Sequence, residues 1–402
     1  MHIIHRLKFR RLVAGYALST VGDAGVRMLL AWITLEQRGT VAMSGVFIGS
    51  AAACVFGPLV GRWLDRYPVR DILSATCLAR FTLMLTLVFM DTHTIARHAA
   101  IFAFLSAFFA LAYGPAVAKT IPAIFTPEKM HEANASCGVS FLIASAGGPV
   151  LGGAVWAHYG LHAACAVFAA LFLVTAPLAH FTTFPLTQSY TAKTRRSSSY
   201  AEVLRSILGM PGVLALAILG IALNFALAPI NVALAPLMLS LGVGPQGFGF
   251  AMALFVVGAV VGNFGAGGNL MRMVGREQSI LASMGTIALG LVAIGFSQSP
   301  LQAAFSILLI GAALPFFQVP VSTQLQRSVP AANAGQVFAT LNSISLLAAP
   351  LAAAATGLLL KRLAPAQLFF SAAALSTMLC AGWTFYHREK TSASPSLDGQ
   401  IG

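Results

Sequence analysis

Gly57-Pro58-Leu59-Val60-Gly61-Arg62-Trp63-Leu64-Asp65-Arg66-Tyr67-Pro68-Val69-Arg70 ends a long apolar run and turns at once into a tight, strongly basic corner. Gly57 and Gly61 stand four apart, on one helix face, where a missing side chain lets another backbone come close. Asp65 and Arg66 follow where that helix would leave hydrocarbon, and Pro68 stops it. A basic turn after a glycine-rich helix also suits any bacterial inner-membrane protein. The rest of the chain has to decide.

Composition bounds the class. Of 402 residues, 58% are hydrophobic and only 9% charged, and the mean hydropathy is +0.83. A soluble domain of this length carries far more charge, so the chain reads as an all-α polytopic membrane protein. Apolar runs of about twenty residues, the length that spans hydrocarbon, recur near 12–34, 42–62, 71–90, 98–121, 136–157, 161–182, 211–235, 246–268, 278–297, 301–324, 335–360 and 366–386. The basic start, Met1 to Arg11, leads into a run holding Asp23 and Arg27, so it reads as an uncleaved first span. The five cysteines, Cys54, Cys77, Cys137, Cys165 and Cys380, sit inside apolar runs with no C-x-x-C and no nearby His. They read as packing residues, with no metal ligand among them.

The longest polar interval, Pro185 to Gly209, holds Lys193, Arg195, Arg196 and Arg205 beside a serine run. It divides a six-helix bundle at 1–184 from a second at 210–390, with a polar, disordered tail at 391–402. With both termini in the cytosol, 17 of the 24 Lys and Arg residues fall in cytosolic segments. Only Arg38, Arg97, Lys361 and Arg362 fall outside, and Arg27, Arg80 and Lys119 lie within spans. That asymmetry obeys the positive-inside rule. The net charge of +13 is therefore mostly topological. Scattered over loops, it excludes a nucleic-acid partner and suits contact with anionic membrane lipids.

The two halves repeat weakly. A shift of 206 residues lays Gly61, Leu64, Arg66 and Arg70 on Gly267, Leu270, Arg272 and Arg276, while Asp65 meets Met271. Pro115 and Pro320 fall at matching depths, as do Pro149 and Pro350. Matches between two six-helix halves at nearly one offset favour a duplicated unit.

Asp23 is the one acid that these spans leave well inside the membrane, at a cost of about 3 kcal/mol on insertion scales. Arg27 stands at i+4 on the same face, so one reading is an ion pair that satisfies itself. The other is a protonatable carboxylate facing a water-filled cavity, which the usual role of intramembrane acids favours. Arg80 and Lys119 are read as snorkelling to the cytosolic face. The second half offers only amides inside its spans: Asn224, Asn231, Asn263, Gln318, Gln324 and Asn342. Most such amides bond across helices, and Asn224 and Gln318 are also candidates for a cavity. Gly147-Gly148-Pro149-Val150-Leu151-Gly152-Gly153 allows a kink and close helix contact. No G-x-x-x-x-G-K-[ST] loop is present, so an ion gradient would have to supply the energy.

Several motifs together resemble one family. G-x-x-x-D-R-x-x-x-R at 61–70, between two apolar runs, resembles the loop between helices 2 and 3 of the major facilitator superfamily. Gly148, Pro149, Gly152 and Gly153 resemble the end of that superfamily's helix-5 antiporter motif, although Ala144 stands where an upstream glycine is expected. Ser19-Thr20-Val21-Gly22-Asp23, then Pro115-x-x-x-Lys119-x-x-Pro122 with Glu128 and Ala133-Asn134, resemble its twelve-helix exporters of the macrolide-efflux and enterobactin-exporter kind. The arginine of helix 4 in many drug antiporters is not found within 103–115.

The resemblance implies a secondary transporter of a bacterial inner membrane, acting as a monomer without a cofactor. It would export a small organic molecule, drug-like or siderophore-like, against protons. Asp23 would couple the proton, and Arg27, Asn224 and Gln318 would face the substrate. Gly61, Asp65, Arg66 and Arg70 would form the gate, with Asp65 docking at 333–336. Gly22-Asp23 also resembles ferroportin-like metal exporters, though divalent metal needs several converging ligands. A non-transporting receptor or scaffold on the same fold is the third reading.

Overall fold

The computed structural model describes residues 2–124, 127–180, 205, 207–267, 273–329 and 334–392. The predicted linker at 185–209 falls almost wholly outside them, as do Leu270, Met271 and Arg272 of the second motif copy. The side chains of Asp65, Lys119 and residues 333–336 are likewise outside the described ones. Every regular element among the described residues is helical. In order they are α1 (His2–Ala52), α2 (Gly57–Arg66), α3 (Val69–Phe89), α4 (Thr92–Ala110), α5 (Tyr113–Ile124), α6 (Pro127–His180), α7 (Pro211–Val232), α8 (Leu234–Ser240), α9 (Pro245–Gly267), α10 (Arg276–Gly295), α11 (Pro300–Ser328), α12 (Ala334–Leu359) and α13 (Pro365–Ser392).

Two of these are pairs of helices joined at a single residue. Gly39 (φ 78°) breaks α1 and Gly160 (φ 84°) breaks α6. A left-handed backbone at one glycine reverses the chain there without a longer loop. The predicted second span is also broken, since Ala53–Phe56 tightens into a 3-10 turn before α2. The last helix runs through Ser392, two residues into the predicted tail. Nine stretches among the described residues are long and apolar enough to cross a membrane. Phe89, Leu301, Phe264, Leu289 and Met378 point outward, each 70% exposed or more. Such a surface is stable only against lipid.

The helices before residue 181 and those after 210 touch along one end of the molecule, the end of Gly39 and Gly160. There Trp32 packs on Phe248 with ring centroids 5.5 Å apart, Gly153 lies against Pro245 and Gln246, and Gly357 against Ser44. A single apolar core joins both sets through this end. At the other end each set keeps a core of its own. One is built on Leu12, Leu64, Leu73 and Val117, the other on Val213, Val329 and Val337.

This arrangement corrects the expectation for Gly57 and Gly61. No atom lies within 4 Å of where a Cβ would stand on either. In this conformation α2 packs through Val60 and Leu64, and its glycine face looks into open space. Close approach of backbones occurs elsewhere. Gly258 and Gly262 of α9 meet the Leu308 and Ala312 carbonyls of α11, and Gly311 meets the Phe255 carbonyl in return.

Candidate functional site

Asp23 sits in the middle of the first arm of α1, one turn after Ser19. Its partner is Arg80 of α3, whose Nη1 donates to Asp23 Oδ1 at 2.7 Å. The other guanidinium nitrogen donates to Ser19 Oγ at 2.7 Å, and Nε reaches the Thr76 carbonyl at 3.4 Å. The Phe172 ring covers the guanidinium at 4.5 Å and the Tyr113 ring at 5.7 Å. Gly22 makes room for Phe172, because a Cβ there would collide with the ring. Tyr113 Oη and Cys77 Sγ close the cluster at 3.0 Å. The Arg80 side chain is 0% exposed, whereas Asp23 keeps 21% of its surface open.

Two expectations change here. Arg80 does not snorkel: it is sealed inside and holds Asp23. Asp23 therefore pairs across helices with Arg80 rather than along its own helix with Arg27. The reason is depth. Arg80 stands eleven residues past the start of α3, about 16 Å at 1.5 Å per residue, too far for its stem to reach the membrane surface. A buried arginine needs a carboxylate and further acceptors, and Asp23 and Ser19 supply them.

The open side of Asp23 faces a cavity of about 390 Å³ within the N-terminal set, lined also by Tyr16, Thr20, Ser50 and Ser106. A second cavity, about 530 Å³, lies between the two sets. Arg27, Ser50, Cys54 and Ser145 line both, so the chambers adjoin. Across the second one, Asn224 and Asn231 of α7 face Arg27, among apolar walls that include Met28, Phe47, Phe248 and Phe255. Arg27 and Asn224 thus meet at one cavity. Gln318 is exposed on α11 and does not line it, although Leu314, one turn earlier, does.

Gly148, Pro149, Gly152 and Gly153 join α1 to α9. Gly148 lies against the Val21 carbonyl and the Gly25 amide, and Gly152 against the Phe168 ring. Gly153 meets Pro245, and the Pro149 carbonyl meets Gly249. Pro149 also lines the second cavity. At the far turn Arg66 and Arg70 are exposed, Arg66 over the Tyr67 ring at 5.9 Å and Arg70 3.3 Å from Asp71. Sequence reasoning missed Arg80, Ser19, Ser145 and Asn231 as site residues. Signals were available for Arg80, in its depth within the span, and for Asn231, as an amide inside a span.

A family model described as Major Facilitator Superfamily matches residues 12–353 and, separately, 214–400. No curated protein matches the chain closely enough in sequence to name a relative. Among solved structures, a bacterial homologue of the human lysosomal transporter Spinster, inward-facing and unoccupied, superposes with a TM-score of 0.74. It is 14% identical and covers 98% of this chain and 99% of its own. A bacterial homologue of the iron transporter ferroportin, also inward-facing, gives 0.69 at 17% identity over 94% and 98%. A nucleoside transporter gives 0.71 at 13% over 94% and 99%. Identities this low speak for the fold alone. The family model, spanning most of the length, says more: the chain belongs to the major facilitator superfamily.

Proposed function

We propose that this membrane transporter is a proton-coupled exporter of a small organic compound. It works by alternating access between two six-helix bundles, 1–184 and 210–390, joined by a cytosolic linker. The observation that carries the reading is Asp23, an acid at mid-membrane with one side bonded to a sealed arginine and the other open to a cavity. A proton reaching Asp23 turns the Arg80 pair into a lone buried cation, which is costly. The proton therefore favours whatever helix arrangement gives Arg80 another partner.

The positive-inside rule assigns the 57–70 end to the cytosol. Both termini then lie on the cytosolic side of a bacterial inner membrane, and the cavities, closed at the Gly39 and Gly160 end, face inward. Asp65, with Gly61, Arg66 and Arg70, latches the cytosolic side when the bundles close there. Among the residues lining the larger cavity, Arg27 is the one cation, set among apolar walls and two amides. That favours acidic or catechol-bearing substrates, whether drug-like or siderophore-like. Among the described residues no three of His, Cys, Asp and Glu come together, so the organic reading is favoured over a divalent metal.

The test is reconstitution of the purified monomer in liposomes under an imposed pH gradient. The native protein moves an organic acid together with counter-flowing protons. Asp23→Asn abolishes the gradient-driven movement and keeps equilibrium substrate binding. Uphill transport surviving in that variant would remove Asp23 from coupling. No movement of any organic or metal substrate would favour a receptor or scaffold.

A further inference from the structure

The superfamily site does not account for a third hollow, of about 590 Å³, on the outside of the N-terminal set. Three helices bound it. Trp63 and Val60 come from α2, Ala75 and Ala79 from α3, and Phe108 and Phe109 from α4. The α3 residues lie off the face that packs inward through Leu73, Cys77, Arg80 and Met84. Aromatic contacts fix the wall, with Trp63 edge-on to Phe108 at 6.1 Å. Of the two hydroxyls in the lining, Thr76 gives its own to the Leu73 carbonyl at 2.9 Å and Tyr67 stands at the exposed rim. Below that rim the lining is aliphatic and aromatic, from Val60, Ile72, Ala75, Ala79, Phe108 and Phe109.

The rim has the opposite character. Where α2 ends, Trp63 and Tyr67 are 39% and 52% exposed, an amphipathic pair of the kind that sits at headgroup level. Arg66 is held over Tyr67, and Arg62 is exposed one turn earlier on α2. α3 starts beside them at Val69, adding the partial positive charge of a 21-residue helix. The acid at this turn with a described side chain, Asp71, is met by Arg70 at 3.3 Å and by His180 at 4.0 Å.

An apolar slot below a cationic, aromatic rim matches one molecule of the bilayer. We infer that the groove between α2, α3 and α4 holds an anionic phospholipid, its acyl chain against Trp63, Ala79 and Phe108 and its phosphate at Arg66. The bound lipid braces the helix that carries the 61–70 motif. One arginine near the surface favours an anionic headgroup by roughly fivefold.

Brominated lipids test this through Trp63, whose contribution is isolated by subtracting the spectrum of Trp63→Phe from that of the native protein in nanodiscs. Brominated phosphatidylglycerol should quench the Trp63 signal at about a fifth of the mole fraction that brominated phosphatidylcholine needs. Arg66→Gln should bring the two lipids to parity, and Ala79→Phe, which fills the slot, should weaken quenching by both. Equal quenching in the native protein overturns the inference. So does a preference that survives Arg66→Gln, or a Trp63 signal that neither lipid quenches.

Discussion

The helices before residue 181 and those after 210 fill their interiors by different chemistry. The first set buries a charged cluster, Asp23 with Arg80, Ser19 and Tyr113, shielded by Phe172. The second has only three acids in its whole length, Glu277, Glu389 and Asp398. Glu277 stands in the first turn of α10. Two of its amides bond along their own helices, Asn224 to the Gly220 carbonyl at 3.0 Å and Asn263 to the Ala259 carbonyl at 2.9 Å. Its tightest contacts are glycine on backbone, between α9 and α11. One set can therefore change its energy with a proton. The other is held mainly by the close fit of its backbones.

The largest expected effect breaks this contrast at its charged side. Arg80→Leu strands the Asp23 carboxylate and should cost about 3–5 kcal/mol, read as a large drop in thermal midpoint in detergent. Adding Asp23→Asn should restore most of it, because the stranded charge is then gone. Asn263→Ala in the other set removes one hydrogen bond along its own helix and should cost about 1 kcal/mol. Losses of similar size at the two sites would erase the distinction.

Steric changes come next. Gly262→Leu drives a side chain into the Ala312 carbonyl, and overpacking of this kind costs about 1–3 kcal/mol. Gly61→Leu enters open space. It should leave the thermal midpoint where it is and, if the proposed latch operates, slow turnover as the bundles close on that face. A midpoint fall in Gly61→Leu would mean that the face is already packed.

Smaller still is the difference between the two sides of the cavity that lies between the sets. Arg27→Ala should weaken an organic anion about tenfold or more, as expected for a charged hydrogen bond of about 1.5–3 kcal/mol, and leave a neutral analogue within twofold. Asn224→Ala should weaken both by about fivefold or less. Equal losses of anion and neutral analogue in Arg27→Ala would point to misfolding.

The smallest effect lies at the closed end, where each set caps a helix differently. Asp91 accepts the Thr94 amide at 2.9 Å, and its bonds to Thr94 hold its carboxyl below the usual carboxylate range. Ser299 accepts the Gln302 amide at 3.3 Å. A depressed folded pKa contributes stability that is present above the unfolded value and is lost as pH falls through the folded one. The slight destabilisation of Asp91→Ala should therefore fade below the ordinary carboxylate range, while that of Ser299→Ala should not vary with pH. A pH-independent difference for Asp91→Ala would show that its charge contributes nothing.

Much of this was legible from residue order. The all-helical membrane class follows from the length and apolarity of the runs, because in hydrocarbon a lone segment must bond its own backbone. Asp23 stood out for a similar reason: a charge at that depth is costly enough to be rare. The superfamily was readable from the 61–70 corner, Gly148-Pro149 and the first-span Asp23.

Partnership was another matter. Sequence spacing offers Arg27 to Asp23, because i+4 is the one neighbour that a helix guarantees. Packing brought Arg80 instead, from a residue 57 positions away. Spacing likewise put Gly57 and Gly61 on one face, but a face gains a neighbour only in a conformation that presents one. Gln318 and Leu314 share a helix face, and only the fold set Leu314 on the cavity. Sequence determines what each segment must bury. Which groups meet inside depends on how the helices cross, and that was decided by close contacts at Gly148, Gly153 and Gly249, where two backbones touch.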